Sequence, residues 1–216
     1  MIPRLHLITD DGILGRPTFP LVAREILDLA GTSLALHLRG PRSSGRLLHS
    51  LALELRDPAR NRGSLLLVND RVDVARALGL PGVHLGQRSL PLPSARKILG
   101  SGALLGASVH GPPEARRARD DGADYLVVGT LYPTASHPGR PGAGPGLLQE
   151  VGALTALPLL AIGGITPERV ERVLRAGAHG VAVRGGIWDA ADPREATRVY
   201  LKRLGAGWKS GGKGTA

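Results

Sequence analysis

The feature that most constrains the fold of this chain is a strict alternation of strand-like and helix-like segments from end to end. Short, continuous apolar runs of this kind are typical of parallel strands that are buried on both faces. Eight such runs, each followed by a segment with helical periodicity, predict a single (β/α)8 TIM barrel. The predicted strands are Leu5–Thr9, Ser33–Leu38, Ser64–Val68, Gly82–Leu85, Leu104–Ser108, Tyr125–Gly129, Leu157–Ile162 and Gly180–Val183.

The segments between the strands carry helix signals. Several begin with Pro, whose missing N–H is unpaired in a first turn anyway, and several end at Gly. The alternative fold, an open doubly wound sheet, more often has a Gly-rich loop after its first strand, whereas this strand ends in Thr9-Asp10-Asp11. The predicted helices are Pro20–Ala30, Gly45–Arg56, Arg71–Leu78, Pro93–Leu99, Pro113–Asp121, Gly146–Thr155, Pro167–Ala176 and Pro193–Leu204.

Length and composition indicate one globular domain. The 216 residues suffice for one sizeable core, so residues 1–204 are predicted to form one barrel and 205–216 a flexible basic tail. No apolar run reaches the length of a membrane span, and the first residues leave no room for a signal peptide. Cysteine is absent, which excludes disulfides and thiolate chemistry. These features favour a cytoplasmic protein with no membrane partner, and a homo-oligomer is compatible with them.

The net charge of +10 does not indicate a nucleic-acid partner. Most of the positive charge is Arg spread along predicted helices that also carry acids, and aromatic residues are only 3%, too few for a base-stacking surface. We expect no nucleic-acid binding. A modest positive field of this kind is better suited to attracting phosphorylated metabolites.

Two pairs of glycines follow the last two predicted strands. Gly163-Gly164 and Gly185-Gly186 each lie just before a helical segment. Backbone N–H groups at a helix start bind anions, because no side chain blocks their approach and the helix dipole favours negative charge. Two such pairs on neighbouring strands therefore predict one phosphate site, although a single Gly-Gly pair is usually only a turn.

Polar residues at the ends of the other strands are further candidates, because barrel chemistry comes from those ends. Arg39 lies in a buried strand context, so it is expected to pair with an acid or bind an anion. Asp70, after Asn69, either caps the following helix or binds Mg²⁺ or substrate. His84 and His110 are equally compatible with packed, hydrogen-bonded imidazoles and with functional ones.

A long loop rich in Pro and Gly, residues 131–145, follows the sixth strand. Long loops in compact domains are usually lids or binding loops. His137 in this loop is the best candidate for an imidazole that moves a proton near neutral pH, although an exposed loop His without function fits equally well.

These strand ends together make the chain similar to the thiamine-phosphate synthase and TenI family. No single match is specific, but nine occur in order along nearly the whole chain. The matching segments are Leu7-Ile8-Thr9-Asp10, His37-Leu38-Arg39, Val68-Asn69-Asp70-Arg71-Val72-Asp73-Val74-Ala75, Gly82-Val83-His84-Leu85-Gly86-Gln87, Gly106-Ala107-Ser108-Val109-His110, Gly122-Ala123-Asp124-Tyr125, Tyr132-Pro133-Thr134, Ala161-Ile162-Gly163-Gly164-Ile165 and Ala176-Gly177-Ala178-His179-Gly180-Val181-Ala182-Val183.

The resemblance implies a barrel of thiamine biosynthesis that binds a thiazole phosphate. Synthase members also bind a hydroxymethylpyrimidine diphosphate through Mg²⁺, lose pyrophosphate, and let the thiazole nitrogen attack the pyrimidine carbocation. Carried over by position, the resemblance implies three groups of residues: Gly163, Gly164, Gly185 and Gly186 for the thiazole phosphate; Thr134 and Ser136 for the thiazole carboxylate; Arg39, Asn69, Asp70 and Ser108 for the pyrimidine and diphosphate side.

Several departures from the synthase pattern shift the expected function. Pro41 and His137 stand where synthases carry Lys, and Ser89 stands where they carry the second Mg²⁺-binding Asp beside Asp70. Each lost charge-assisted contact is worth about 1.5–3 kcal/mol. The main expectation is therefore a TenI-type thiazole tautomerase, an isomerase that needs no cofactor, with His137 as proton shuttle. Tautomerases of this type carry His after the sixth-strand Gly, where this chain has Thr130.

Two alternatives to the tautomerase stay open. One is a thiamine-phosphate synthase, which would need Mg²⁺. The other is a barrel without catalysis that binds thiazole or thiamine phosphates in a regulatory role.

Overall fold

The computed structural model describes residues 1–134, 139 and 141–205, and within them the predicted barrel is confirmed. Eight parallel strands pair in sequence order, and β1 closes the ring by pairing with β8 through Leu5 opposite Val181. The strands are β1 (Leu5–Ile8), β2 (Leu34–Leu38), β3 (Leu65–Asn69), β4 (Gly82–Leu85), β5 (Leu104–Val109), β6 (Tyr125–Val128), β7 (Leu159–Ile162) and β8 (Gly180–Val183).

The helices lie outside this ring, one or more after each strand. The α-helices within the described residues are α1 (Asp11–Leu14), α2 (Phe19–Ala30), α3 (Gly45–Arg62), α4 (Val72–Leu78), α5 (Leu92–Leu99), α6 (Pro112–Asp120), α7 (Gly146–Gly152), α8 (Pro167–Arg175), α9 (Gly185–Trp188) and α10 (Pro193–Arg203). No helix in this part of the chain is long and apolar enough to cross a membrane.

Most helices differ from their predicted bounds by a few residues, and α3 differs most. It continues past its predicted end at Arg56 and through Pro58, although Pro removes one backbone hydrogen bond. Leu55 and Ala59 are buried against the core, which favours continuation of the helix, and Gly63 ends it with a left-handed φ of 71°. The short helices α1 and α9 have four residues each, too few to show a helical period in the sequence.

The barrel has two packed layers. The larger apolar cluster lies between the sheet and the helices, and the smaller one fills the interior with residues such as Leu67, Tyr125 and Leu160. Gly106 leaves the space that the Tyr125 ring occupies, since a Cβ there would lie 2.1 Å from that ring. The interior also contains the fully buried polar residues His6 and His37.

The two ends of the described chain are held together beside β1. The Arg4 side chain donates to the His179 carbonyl at 3.0 Å and to the Leu204 carbonyl, and Nε2 of His179 pairs with the Ile2 carbonyl at 2.9 Å. Of the predicted basic tail only Gly205 lies within the described residues, so the flexibility of 205–216 stays a prediction.

A substitution at Gly82 can test how closely β4 approaches β5. A Cβ at Gly82 would lie 1.9 Å from the Leu104 carbonyl oxygen, a backbone atom that cannot turn aside. We expect Gly82→Ala to lower the free energy of unfolding by about 1–3 kcal/mol, the usual cost of overpacking. Gly102→Ala, where the added Cβ meets no atom within 4 Å, is the control and should change stability little. Equal denaturation midpoints for the two variants would contradict the packing described here.

Candidate functional site

One cavity of about 850 Å³ opens at the carboxyl ends of the strands. Residues from all eight strand ends or the loops after them line it. Among the residues implied at the sequence level, the structure brings nine to this cavity: Arg39, Asn69, Asp70, Ser108, Thr134, Gly163, Gly164, Gly185 and Gly186. Ser136 and His137 lie outside the described residues, so the predicted proton shuttle and one predicted carboxylate contact remain predictions.

The two glycine pairs stand side by side, after β7 and β8, as the sequence predicted. The N–H groups of all four glycines donate no hydrogen bond to another residue within the described part of the chain. Gly185 and Gly186 form the first turn of α9, where N–H groups have no partner inside the helix. Together they offer bare donors at one wall of the cavity, which is the chemistry that a phosphate group requires.

Close packing behind the cavity explains why these positions are glycine. Gly163 has a φ of 97°, and a Cβ on it would lie 2.4 Å from the Thr130 methyl group. A Cβ on Gly186 would lie 2.3 Å from the Tyr200 hydroxyl. A side chain at either position would therefore displace the backbone that presents the donors.

An acid next to the glycine pairs was missed at the sequence level. Asp189, directly after α9, lines the cavity, and its carboxylate accepts a hydrogen bond from Arg16 at 2.8 Å. Arg184 is likewise paired with Asp10, the residue that caps α1. The pairings balance charge at this wall, so backbone donors supply its affinity for anions. Asp10 and Arg184 come from opposite ends of the chain, so no local sequence pattern predicts their contact.

Two arginines occupy the opposite side of the cavity. Arg39 follows β2 and is exposed there, which corrects the expectation that its guanidinium is buried, since β2 ends one residue earlier. Arg88 also lines the cavity and is exposed, although it was not singled out from the sequence. Neither side chain makes an ion pair or hydrogen bond with another described residue, so both cations are available to an anion in the cavity.

Asp70 directly follows β3 and lines the cavity, and it does not cap a helix. Helix α4 begins at Val72 without a side-chain cap, which excludes the capping alternative. Asp70 instead adopts a left-handed φ of 64°. Its Oδ1 accepts hydrogen bonds from the Gly86 N–H at 3.2 Å and from the Ser89 hydroxyl, so Ser89 contacts the carboxylate directly.

The donor set on this side fits a Mg²⁺ ion only as a partner of a bound diphosphate. No cluster of three His, Cys, Asp or Glu residues that could hold a metal occurs among the described residues. Mg²⁺ usually keeps several waters and binds one or two carboxylates together with substrate phosphates. Asp70 supplies the one carboxylate, and a diphosphate would have to supply further oxygens.

Three buried histidines lie in the barrel interior next to the cavity, and one of them, His84, lines it. Nδ1 of His6 is 2.8 Å from Nε2 of His37, and Nδ1 of His37 is 3.0 Å from Oδ1 of Asn69. Nε2 of His84 is 2.8 Å from the Ser108 hydroxyl. His84 is therefore packed and hydrogen-bonded, and it also lines the cavity itself. His110, by contrast, is exposed and pairs with Glu114 at 3.0 Å.

Burial keeps these interior imidazoles neutral. It lowers the pKa of His37 to about 4, against the opposing effect of the Asn69 hydrogen bond. Burial, reinforced by neighbouring His37, also lowers the pKa of His6 and of His84. The Pro3 carbonyl acts on His6 in the opposite direction, although Nε2 of His6 makes no hydrogen bond with a described residue.

Comparison with known proteins identifies the family. The family model described as thiamine monophosphate synthase (TMP-TENI) matches residues 5–187, most of the chain. The chain belongs to this family. The family match confirms the resemblance read from the strand ends, but it does not separate the TenI branch from the synthases.

Individual relatives carry synthase names. The chain is 41% identical over 203 residues to a thiamine-phosphate synthase of Methanoculleus marisnigri, covering 94% of this chain and 95% of that one. It is 48% identical over 155 residues, 71% of this chain, to the thiamine biosynthesis bifunctional protein ThiM/ThiE of Symbiobacterium thermophilum, and spans only 32% of that longer protein. Among solved structures, thiamine phosphate pyrophosphorylase from Pyrococcus furiosus is similar, with a TM-score of 0.81, 32% identity and coverage of 94% and 95%.

The buried histidines make the stability of this family member sensitive to mild acid. Below pH 6.5 the histidines of the unfolded chain take up protons, whereas those in the barrel do not, so stability falls as the pH is lowered towards 4. His37 alone accounts for about 3 kcal/mol over that range. We expect His37→Phe to flatten the dependence of unfolding free energy on pH between about 4.5 and 6.5, measured by denaturant titration. If the unfolding free energy of the variant depended on pH as steeply as that of the unsubstituted protein, His37 would not be the source of the acid sensitivity.

Proposed function

We propose that this chain is a thiamine-phosphate synthase that couples hydroxymethylpyrimidine diphosphate to a thiazole phosphate. The observation that carries the proposal is a single cavity with two separate anion-binding walls. The bare N–H groups of the glycine pairs form one wall, and Arg39 and Arg88 stand on the other. A reaction between a monophosphate and a diphosphate substrate needs both walls, whereas a tautomerase with one phosphorylated substrate needs one. The synthase names of the relatives support the same choice.

In the proposed reaction, the bond between the pyrimidine methylene carbon and the diphosphate oxygen breaks. The electron pair leaves with pyrophosphate, and the thiazole nitrogen then donates its lone pair to the methylene carbon to form the new C–N bond. Arg39 and Arg88 stabilise the charge that grows on the leaving group. Mg²⁺, when bound with the diphosphate at Asp70, supplies further neutralisation of that charge. The glycine N–H groups hold the thiazole phosphate and thereby orient its ring nitrogen.

Arg88 offsets part of what the departures from the family pattern remove. Pro41 and Ser89 leave this side without a Lys and without a second carboxylate. Arg88 lines the cavity and has no carboxylate partner among the described residues, so its charge is available to the diphosphate. The charge of Arg88 would thus compensate in part for Pro41 and Ser89 in a synthase.

One feature still supports a tautomerase: the residues that the family resemblance implies for thiazole binding are present in the sequence, in contrast to those on the diphosphate side. Its proposed base, His137, lies outside the described residues, and Thr130 occupies the position at which tautomerases of this type carry His. It is therefore the second candidate.

A direct assay separates the candidates. Purified protein is given the pyrimidine diphosphate, thiazole phosphate and Mg²⁺, and thiamine phosphate and pyrophosphate are measured. In parallel it is given the thiazole carboxylate phosphate tautomer alone. We expect equimolar thiamine phosphate and pyrophosphate in the first reaction. Aromatisation of the tautomer with no pyrophosphate release would favour the tautomerase, and binding without turnover in either reaction would favour the regulatory barrel.

Arg39 provides a test of the diphosphate wall. Arg39→Gln removes a cation that no described residue neutralises, so we expect kcat/KM for the pyrimidine diphosphate to fall about 10- to 100-fold, the equivalent of one charged hydrogen bond. KM for the thiazole phosphate should stay within about twofold, since that phosphate binds the other wall.

Arg42→Gln is the matched control for Arg39. Arg42 is close in sequence, but its side chain is 88% exposed and pairs with Asp11. We expect near-normal kinetics for this variant. Equal losses in the two variants would indicate a general effect of positive charge rather than a defined binding wall.

A further inference from the structure

Two buried histidines form a hydrogen-bond chain that ends at a side chain of the cavity. His6 and His37 are both 0% exposed, and the 2.8 Å and 3.0 Å contacts described above connect His6 through His37 to Asn69. Asn69 lines the cavity beside Asp70. The proposed reaction requires no proton from these histidines, so proton transfer does not explain why they are there.

The direction of the hydrogen bonds follows from the Asn69 end. Oδ1 of Asn69 can only accept, so His37 carries its proton on Nδ1 and donates it there. A neutral His37 then has a bare Nε2, which accepts from the Nδ1–H of His6. Nε2 of His6 is left as an unpaired lone pair. The reverse direction would place a proton on Nε2 of His6 and turn the Asn69 amide so that its oxygen, rather than its NH₂ group, faces the cavity.

We propose that His6 and His37 are positioning residues that fix the Asn69 amide with its NH₂ group towards the cavity, where it donates to an acceptor on the pyrimidine diphosphate. An amide that is free to rotate by 180° presents either an acceptor or a donor. Here the His37 N–H holds the oxygen side, so only the donor side remains for substrate. This inference rests on the proposed function for the identity of the substrate, but the direction of the hydrogen bonds is independent of it.

Two substitutions at His6 separate positioning from stability. His6→Phe keeps a ring of similar size and removes the donor to His37, so we expect unchanged or higher thermal stability but a KM for the pyrimidine diphosphate raised about tenfold, with kcat within about twofold. His6→Asn places an amide donor near the position of Nδ1 but leaves a cavity, so we expect lower stability with a KM close to that of the unsubstituted protein. A merely structural role gives the opposite order, with KM following stability.

Inorganic pyrophosphate identifies the acceptor that Asn69 contacts. If the amide donates to a diphosphate oxygen, inhibition by pyrophosphate weakens in His6→Phe as much as substrate binding does. If it donates to a pyrimidine ring nitrogen, inhibition by pyrophosphate is unchanged. Unchanged KM for the substrate together with unchanged inhibition would overturn the proposal.

The imidazole nitrogen resonances test the hydrogen-bond direction in the unsubstituted protein, whatever the fate of the variants. We expect a proton on Nδ1 of both His6 and His37. Protons on Nε2 of both rings would overturn the proposal even if the enzyme is an active synthase. Absence of thiamine phosphate formation with the expected proton positions would instead overturn the proposed function and leave the direction established.

Discussion

Closure of the sheet between β1 and β8 is the constraint on which the site depends. Pairing of Leu5 with Val181 brings the first and last strands together, although they are separated by almost the whole chain. Only in a closed ring do the loops after β1, β7 and β8 meet at one wall. There Asp10 neutralises Arg184, and the glycine pairs after β7 and β8 lie next to each other. The anion wall is thus a product of closure rather than of any single loop.

Buried polar groups give this barrel a floor with defined chemistry. An apolar interior would pack more simply, and burial of neutral histidines is tolerated only because most of their polar atoms are paired. The hydrogen bonds of His84 and His37 extend to Ser108 and Asn69, which touch the cavity. The buried histidines are therefore hydrogen-bonded to side chains that a substrate in the cavity would meet.

The sequence predicted most of the fold and much of the site, and the failures have physical causes. Apolar strands and alternating segments are local patterns, so the ring and the position of residues such as Asn69 and the glycine pairs could be anticipated. The exposure of Arg39 was not anticipated, although β2 ends at Leu38 as predicted, because the burial of a side chain just beyond a strand depends on loops that are distant in sequence. The contacts of Asp189 with Arg16 and of Asp70 with Ser89 join distant residues, and one sequence contains no signal for such pairs. The tautomerase expectation counted the lost charges but not Arg88, a cation next to one of the losses that the proposed synthase would use.

The contacts of Arg4 with His179 and Leu204 have a consequence for how this chain could be rearranged. They place the start of β1 against the end of α10, so the first strand and the last helix of the ring lie close together. Protein chains with adjacent ends generally accept new termini in exposed loops once the old ones are joined. A circular permutant opened in the turn between α5 and β5, at the far side of the ring from this seam, would therefore retain both anion walls while reversing the order in which they are synthesised.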